Sequence, residues 1–315
     1  MTWISSTKYF GKREMFSLES ILKSHPNDCV IIISKIMASK SGKNLIKAFL
    51  EKGYFILTIA PDFPMIFHGT PAQNWLERLI NGGIDPGKIP ITQNLSNLLR
   101  IVVLYKYGGV YFDSDMIILK DVYGLRNCIG IQEVNKETNA WTSVNNAVLI
   151  FDKNHPLLFR FLEEFNSSFN GNLWGHNGPF MATRVIKKVG HISGYSSSSN
   201  SLYYAYKNYE QGLEREREDN SYRMLSNEDD LRYTFSLMSP MAFYPVDWGK
   251  IKKFFLTPQR KEVNWANSMF NKVNEESYGV HLWNKVSRSL KIEEGSIIGR
   301  LISNNCIICE DVYGL

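Results

Sequence analysis

Apolar and polar positions change along the chain in a rhythm that predicts strands and helices in turn. Continuous apolar runs at 29–34 and 54–59 predict two buried strands, and the apolar spacing of 44–51 between them predicts a helix. Further along, 147–151 predicts another strand and 156–165 another helix. Such alternation is typical of an α/β fold in which helices flank a largely parallel sheet.

An amphipathic helix followed by an acidic strand is the most informative segment. Residues 94–107 place their leucines and valines on one helical face, while Asn97 and Arg100 share the opposite face. Gly108 and Gly109 predict the end of this helix. The residues that follow, 110–119, predict a strand that two acids interrupt.

Those acids, Asp113 and Asp115, are the candidate chemical centre. Acidic side chains are poorly tolerated inside a sheet unless something compensates their charge. In an extended segment, residues two apart project to the same side, so both carboxylates could hold one divalent cation, and hard oxygen ligands suit Mg²⁺ or Mn²⁺. Such a cation could bridge a diphosphate and stabilise it as it departs from a sugar. The alternative is a solvated turn that carries two acids.

The composition narrows the class of protein. With 315 residues, 44% of them hydrophobic, the chain can bury a full core. Its 36 lysines and arginines against 31 aspartates and glutamates give a net charge of +5 without a long run of one sign, which argues against a nucleic-acid partner. No apolar run approaches the roughly 18 residues of a membrane-spanning helix, so we expect a soluble chain.

The four cysteines are too few and too scattered for a disulfide framework. Cys306 and Cys309 have the spacing of a redox pair or of half a zinc site, but no second close pair of cysteines or histidines completes a zinc site. We expect a disulfide or two buried thiols there.

Several sequence blocks together resemble one enzyme family. The blocks are NLLR at 97–100, LYKYGGVYFDSD at 104–115, WGHNGP at 174–179, AFYP at 242–245 and YGVHLWN at 278–284. Their order and spacing resemble the DXD glycosyltransferases of GT-A type, and specifically family 32, over nearly the whole chain. The resemblance implies a Rossmann-like, mostly parallel sheet flanked by helices, with a C-terminal closing segment. It implies a single catalytic domain with a nucleotide-sugar part at 1–189, a flexible insertion at 190–233 and an acceptor and closing part at 234–315.

The activity that this resemblance implies is metal-dependent hexosyl transfer, like that of the alpha-1,4-galactosyltransferases. A hexose would move from a UDP-sugar, with UDP-galactose favoured, to a hydroxyl of a glycan or glycolipid, with retention at the anomeric carbon and with Mn²⁺ or Mg²⁺ as cofactor. The resemblance also implies the Golgi lumen, with membrane attachment only through an N-terminal anchor that would precede residue 1. Two glycosylation sequons, at Asn94 and Asn166, are compatible with a lumenal address.

Site residues carried over from the resemblance fall into overlapping groups. The cation ligands would be Asp113, Asp115 and His281, and the catalytic residues Asp113, Asp115 and Arg100. The donor-binding residues would be Asn97, Arg100, Tyr111, Asp113, Trp283 and Asn284. Asn97 stands where many relatives have aspartate, a change that keeps an acceptor but loses a charge and so could alter sugar preference.

The acceptor-binding candidates are amides and a histidine placed by two polar blocks: Asn145, Asn146, His176 and Asn177. Each has a structural alternative. The glycines and proline around 176–177 also suit a turn at a helix entry, and the amides at 145–146 also suit the polar start of a strand. His281 and Trp283 could be packed side chains, and Arg100 could be a surface residue in an ion pair.

The mechanism and two rival functions remain open at this point. Retention admits a covalent glycosyl-enzyme or a front-face reaction, and we favour the second because Glu133, Asp152 and Asp247 are better explained as surface acids. One rival is a haloacid-dehalogenase-like phosphatase, which would need further acids such as Asp229 and Asp230. The other is a catalytically silent homologue that binds a sugar nucleotide or glycan.

Overall fold

The computed structural model describes residues 1–5, 9–196, 201–206 and 234–308. The chain divides into two compact units. Unit 1 comprises Met1–Pro61, Phe112–Gly124 and Pro240–Leu315, and unit 2 comprises Asp62–Tyr111 and Leu125–Ser239. Each unit is therefore assembled from separate stretches of sequence, while the division at 189 and 233 stays a prediction.

The strands and helices are numbered here in chain order. The strands are β1 Cys29–Ile33, β2 Phe55–Ile59, β3 Gly109–Phe112, β4 Met116–Ile118, β5 Cys128–Val134, β6 Trp141–Phe151, β7 Gly190–Ser196, β8 Ser201–Tyr206, β9 Thr234–Met238 and β10 Gly279–His281. The helices are α1 Lys12–Ser24, α2 Lys40–Leu45, α3 Lys47–Glu51, α4 Phe63–Phe67, α5 Pro71–Ile80, α6 Ile91–Tyr107, α7 Pro156–Ser168, α8 Pro179–Val189, α9 Pro240–Phe243, α10 Ile251–Phe255, α11 Val263–Glu276, α12 Asn284–Ser287 and α13 Ile297–Asn304.

Unit 1 contains two small sheets. β1 and β2 pair in parallel, as the predicted strand–helix–strand order requires, although the helix expected at 44–51 is two short helices, α2 and α3. β4 and β10 pair antiparallel, with Met116 opposite His281. Helix α1 supports this second sheet, because its buried Ser20 Oγ accepts a hydrogen bond from the Ile118 N–H at 2.9 Å.

Unit 2 is built on a sheet with the strand order β3-β6-β5-β9-β8-β7. β5 and β9 run parallel, whereas β5–β6, β8–β9 and β7–β8 are antiparallel. The predicted α/β class with flanking helices is confirmed. The sheet of unit 2 is mixed and not mostly parallel as expected, because the short connections β5–β6 and β7–β8 join antiparallel strands. Helix α7 packs against α5, α6 and α8. The buried Trp75 ring of α5 lies 5.2 Å from the rings of Phe165 and Phe169.

The segment predicted as an insertion begins with regular structure. β7 and β8 form a hairpin that extends the sheet of unit 2. Residues 197–200 and 207–233 lie outside the described residues, and so do Asp229 and Asp230, the acids that the phosphatase alternative would need.

None of the helices in the described part of the chain combines the length and apolar character needed to span a bilayer. Of the cysteines, Cys306 is disulfide-bonded, which agrees with the expectation for the C-terminal pair, while Cys309 lies outside the described residues. Cys29 is an exposed free thiol. Cys128 is a buried free thiol on β5, and burial raises its pKa to about 12.

Candidate functional site

The chain reaches the acidic segment through a tight turn at the end of α6. Gly108 takes a φ of 71°, a left-handed conformation that glycine adopts without strain, and its N–H donates to the Leu104 carbonyl at 2.7 Å. A Cβ at this position would lie 2.7 Å from the Lys153 backbone nitrogen. Both the conformation and the close approach therefore require glycine here, as the sequence predicted.

Asp113 and Asp115 lie on a turn and not on an extended strand. The Met116 N–H donates to the Asp113 carbonyl at 3.2 Å and closes a turn between β3 and β4. The expectation that the two carboxylates converge through strand alternation is wrong, because alternation applies only to extended backbone. The turn nevertheless brings them together.

A third potential ligand joins the two aspartates through the pairing of β4 with β10. His281 is the last residue of β10 and lies opposite Met116, next to Asp115 in sequence. One ligand atom from each of Asp113, Asp115 and His281 lies within 4.8 Å of the others. We call these three residues the acidic triad. It contains all three residues that the resemblance assigned to a cation, and all belong to unit 1.

The segment 281–284 fixes the Asp115 side chain and backbone. Oδ1 of Asp115 lies 3.2 Å from Nε2 of His281, and Oδ2 accepts the Asn284 N–H at 2.9 Å. The Asp115 carbonyl accepts the Leu282 N–H at 2.8 Å. The carboxylate is therefore held in one orientation by groups whose sequence positions are far from its own.

Trp283 shapes that segment. Its φ of 56° lies in the left-handed region, which costs a residue with a side chain on the order of 1–2 kcal/mol. Its indole N–H donates to the Val246 carbonyl at 2.8 Å, and its ring meets that of His281 edge to face with centroids 4.2 Å apart. The indole is 9% exposed and holds the imidazole in place. Its contact with the donor stays a prediction.

The imidazole of His281 has one buried nitrogen, Nδ1, without a hydrogen-bond partner among the described residues. Most buried polar atoms in proteins are hydrogen-bonded, and an exception points to strain, a catalytic role or an unseen ligand. The other ring nitrogen, Nε2, lies 3.2 Å from the Asp115 carboxylate and is the imidazole atom placed to hold a divalent cation together with the aspartates.

A second cluster lies in unit 2 and contains four of the predicted residues. Arg100 is 5% exposed, which excludes the alternative of a surface ion pair. Its Nη1 donates to the Asn146 carbonyl at 2.8 Å, and its guanidinium lies 4.6 Å from the centre of the Tyr111 ring. Nδ2 of Asn146 in turn donates to Oδ1 of Asn97 at 3.2 Å. We call this group the arginine cluster.

Two family models match the chain in succession. Residues 11–139 match the "Glycosyltransferase sugar-binding region containing DXD motif", and residues 150–203 and 217–313 match the "Alpha 1,4-glycosyltransferase conserved region". The chain belongs to the DXD-containing glycosyltransferases. The matched regions contain both the acidic triad and most of the arginine cluster, so the family resemblance seen in the sequence is confirmed.

Individual relatives are similar at moderate identity. An uncharacterised Arabidopsis thaliana protein is 28% identical over 99% of this chain, which spans 42% of that protein. The lactosylceramide 4-alpha-galactosyltransferase of Mus musculus is 28% identical over 93% of this chain and 69% of its own length. The alpha-1,4-N-acetylglucosaminyltransferase of Homo sapiens is 23% identical over 72% and 52%. A solved structure, "PaToxG Glycosyltransferase", is 21% identical with a TM-score of 0.43 over 60% of this chain and 67% of its own.

The predicted acceptor residues of this glycosyltransferase make contacts within unit 2. Asn177 is buried; its Oδ1 accepts the Asn170 N–H at 3.0 Å and its Nδ2 donates to Oδ1 of Asn94 at 3.0 Å. Nδ2 of Asn145 donates to Oε1 of Gln132 at 2.7 Å. Together with the His176 ring, whose Nε2 lies 2.8 Å from the Ser168 carbonyl, they brace their loops, and their contact with an acceptor stays a prediction.

The sequon at Asn94 is not a glycosylation site in this fold. Asn94 lies on α6, is 3% exposed and accepts the hydrogen bond from Asn177, so a glycan has no room there. The expectation was wrong because a sequon is a pattern of three consecutive residues, whereas the burial of Asn94 depends on the tertiary fold. Asn166 lies half-buried on α7.

The acids considered as nucleophiles have surface contacts. Asp152 pairs with Arg126 at 2.7 Å, and Asp247 accepts the Gly249 N–H at 2.9 Å with its side chain 46% exposed. Glu133 accepts a hydrogen bond from Ser143 at 3.2 Å. These contacts agree with the interpretation of all three as surface acids.

Sequence reasoning missed two residues next to the acidic triad. Arg13 and Glu14, in the first turn of α1, are buried and reach the Asn284 side chain. An acid and a base at the start of a helix are ordinary surface features, so the local sequence carries no signal for them beyond helix capping.

Proposed function

We propose that this chain is a metal-dependent retaining hexosyltransferase that moves a hexose from a UDP-sugar, with UDP-galactose favoured, to a hydroxyl of a glycan or glycolipid. The observation that carries the proposal is the convergence of Asp113, Asp115 and His281 within 4.8 Å. The family match supports it, because the matched region is described by its DXD motif and by sugar binding.

The donor atoms of the acidic triad fit a divalent cation. Two carboxylates and one imidazole suit Mn²⁺ better than Mg²⁺, because Mg²⁺ is held almost entirely by oxygen. A bound cation would neutralise charge on the diphosphate of the leaving group. The Asn284 N–H keeps the Asp115 carboxylate turned toward His281, and the Leu282 N–H fixes the Asp115 backbone. The Trp283 ring keeps the imidazole from rotating.

We propose that the arginine cluster binds the donor. A guanidinium presents a planar fork of donors, which can hydrogen-bond vicinal hydroxyls or a phosphate while it supplies charge. Stacking on Tyr111 and the hydrogen bond to Asn146 fix the plane of that fork. Asn97 supports Asn146, so its amide contributes to the same cluster.

The proposed stereochemical course is front-face transfer with retention. The leaving phosphate would help to remove the proton from the acceptor hydroxyl, so the rate would come from positioning and from stabilised charge. The surface contacts of Glu133, Asp152 and Asp247 support this course over a covalent intermediate. A glycosyl adduct trapped on any of these acids and detected by mass spectrometry would contradict it.

The names of two relatives guide the choice of substrate. The mouse protein named lactosylceramide 4-alpha-galactosyltransferase supports UDP-galactose and a glycolipid acceptor. The human protein named alpha-1,4-N-acetylglucosaminyltransferase makes UDP-N-acetylglucosamine the competing donor. The Golgi lumen is the location that fits such an activity, and it stays a prediction.

The test is a transfer assay with a panel of UDP-sugars and lactosylceramide as acceptor. We expect turnover with UDP-galactose and Mn²⁺, little turnover after chelation, and a loss of at least about 100-fold in Asp115→Asn, because electrostatic stabilisation of a leaving group is worth that much. The matched control is Asp121→Asn, an exposed acid of the same unit, which should keep wild-type activity.

Other outcomes would identify the rival functions. Equal turnover with and without metal, or an active Asp115→Asn variant, contradicts the proposal. Fast hydrolysis of a generic phosphate monoester with Mg²⁺ would favour the phosphatase. Binding of UDP without turnover of any UDP-sugar would favour the silent homologue.

A further inference from the structure

The first turn of α1 carries two adjacent charged residues that are buried. Arg13 is 6% exposed and Glu14 is 2% exposed. Such residues are almost never fully buried unless they are paired, because removing a charge from water is costly. The hydrogen-bond partners of Arg13 and Glu14 therefore indicate why these two charged side chains are buried.

Glu14 uses both carboxylate oxygens. Oε2 accepts the Gly11 N–H at 2.9 Å and so caps α1. Oε1 accepts two donors, Nη2 of Arg288 at 2.6 Å and Nδ2 of Asn284 at 3.3 Å. One oxygen therefore serves the helix, and the other binds the C-terminal segment of unit 1.

Arg13 binds the same segment from the other side. Its Nη1 donates to the Ser287 carbonyl at 2.8 Å and lies 3.5 Å from Oδ1 of Asn284, and its Nη2 donates to the Leu290 carbonyl. Burial lowers the pKa of Arg13 from its ordinary value, while Glu14 and Asp115 act in the opposite direction. The amide of Asn284 is thus held at its nitrogen by Glu14 and at its oxygen by Arg13.

Asn284 connects this pair to the acidic triad. Its backbone N–H donates to Oδ2 of Asp115 at 2.9 Å, which leaves Oδ1 directed at His281. The same helix α1 contacts the other end of the acidic turn, where Ser17 Oγ lies 3.5 Å from the Asp113 carbonyl. Helix α1 therefore contacts both the acidic turn and the segment 281–284.

We propose that Arg13 and Glu14 are positioning residues for the divalent cation: by fixing the Asn284 amide, they set the orientation of the Asp115 carboxylate. This inference rests on the proposed function. Groups that hydrogen-bond the ligands of a metal commonly alter its affinity by about 10- to 100-fold when they are removed. The ion pair that Glu14 makes is with Arg288, at 2.6 Å, and ion pairs with a buried partner often add little net stability, which favours alignment as the explanation of the buried Glu14 carboxylate.

The test measures Mn²⁺ binding to the full chain without any donor, from the electron paramagnetic resonance signal of free Mn²⁺. We expect Glu14→Ala to raise the Kd for Mn²⁺ about 10-fold. The matched control is Glu19→Ala, on the same helix. Glu19 is 3% exposed, and its Oε1 accepts the Ile308 N–H at 2.8 Å, away from Asn284. This control should lower the melting temperature and leave the Kd unchanged.

A double-mutant cycle tests whether Glu14 acts through Asn284. We expect Asn284→Ala to raise the Kd for Mn²⁺. The double variant Glu14→Ala/Asn284→Ala should have a Kd no higher than that of the single variant with the higher Kd, because both substitutions remove the same contact between Glu14 and Asn284. Additive losses would contradict the proposal, as would a wild-type Kd in Glu14→Ala or equal losses in Glu14→Ala and Glu19→Ala. If Glu14→Ala does not fold, a wild-type Kd in Asn284→Ala, whose side chain is half-buried, would overturn it.

Failure of the inference is distinguishable from failure of the proposed function. If the wild-type chain binds no Mn²⁺, the proposed metal dependence is wrong. If the wild type binds Mn²⁺, Asp115→Asn does not, and Glu14→Ala matches the wild type, only the positioning role is wrong.

Discussion

Arg100 shows how one buried side chain combines charge, shape and packing. Its Nε lies 3.3 Å from the Ser96 carbonyl, one turn back on α6, while Nη1 reaches the Asn146 carbonyl on β6 and the guanidinium faces Tyr111. A planar guanidinium can stack and donate in several directions at once, which an ammonium cannot. The residue is therefore specified by shape as well as by charge.

The Arg100→Lys variant should separate these properties. We expect kcat/KM for the UDP-sugar to fall at least about 10-fold, and stability to fall by about 1–3 kcal/mol because the buried Asn146 carbonyl loses its partner. Steady-state kinetics and urea unfolding measure the two effects. The control is Arg126→Lys in the same unit, an arginine whose side chain is 59% exposed and which should tolerate the change. Unchanged kinetics in Arg100→Lys would show that charge alone suffices.

Single residues differ in how far the sequence identifies them. Asp113, Asp115 and Arg100 stand in a local pattern of helix, glycine turn and acids, and that pattern can be recognised without a structure. Glu14 and Arg13 cannot be recognised in this way, because their significance lies in contacts with a residue about 270 positions away. Burial of the Asn94 sequon is likewise a tertiary property.

Helix α7 begins with a histidine, His155, as its N-terminal cap. Nδ1 of His155 accepts the Leu157 N–H at 3.2 Å, and Nε2 lies 3.2 Å from the Thr234 carbonyl. These contacts require a neutral ring with its proton on Nε2. Burial lowers the pKa of His155 from 6.5 to about 4 in the folded chain.

This cap predicts a pH dependence of stability. Between pH 6.5 and 4 the unfolded chain binds the His155 proton and the folded chain does not, so stability falls as the pH falls through this window and is fully present above it. The loss is about 1.4 kcal/mol per pH unit at its steepest, and about 3 kcal/mol in total. Denaturant unfolding from pH 7 to 4 should show this loss in the wild type. His155→Asn, which keeps a capping acceptor, should lack the loss of stability that comes from His155. If the unfolding free energies of the two proteins fall in parallel with pH, a buried neutral ring is contradicted.

Helices and strands with strong local patterns are the elements that sequence predicts well. The β1, β2, α6 and α7 segments form where the apolar spacing places them, within about three residues at each end, while β6 contains the predicted 147–151 but begins earlier, at Trp141. The acidic turn was predicted as extended because the apolar residues on both sides read as one strand, whereas the Met116 N–H bonds back to Asp113. The parallel pairing of β5 with β9 joins strands about 100 residues apart, which local spacing does not encode.

All three candidate ligands belong to unit 1, so a bound cation should stabilise unit 1 and leave unit 2 unchanged. A ligand that binds only the folded state protects the elements that hold it. Hydrogen exchange followed by mass spectrometry, with and without Mn²⁺, should show slower exchange in β4 and β10. The α7 and α8 helices of unit 2 should exchange at the same rate in both conditions.

Asp115→Asn serves as the control for this measurement, since it should abolish the protection of β4 and β10. Protection spread evenly over both units, or protection that persists in Asp115→Asn, would mean that Mn²⁺ binds elsewhere in the chain.

The order of elements predicts the α/β class of the molecule but not its division into units. Unit 1 takes its acidic turn from Phe112–Gly124 and its histidine from the stretch that begins at Pro240, with most of unit 2 encoded between them. Nothing in the spacing of 112–124 distinguishes it from the residues before and after it. Only the family resemblance links the acids to His281 before the structure is known.

The long sequence separation within unit 1 also governs its biosynthesis. Asp115 and its Asn284 partner are 169 residues apart, and a ribosome adding about 5–20 residues per second takes on the order of 10–30 seconds to cover that distance. During this interval the nascent polypeptide exposes an arginine, a glutamate and two aspartates whose C-terminal partners have not yet been translated. Unit 1 therefore gains these contacts only after residue 284 has been synthesised, and a polypeptide truncated before that residue lacks those partners.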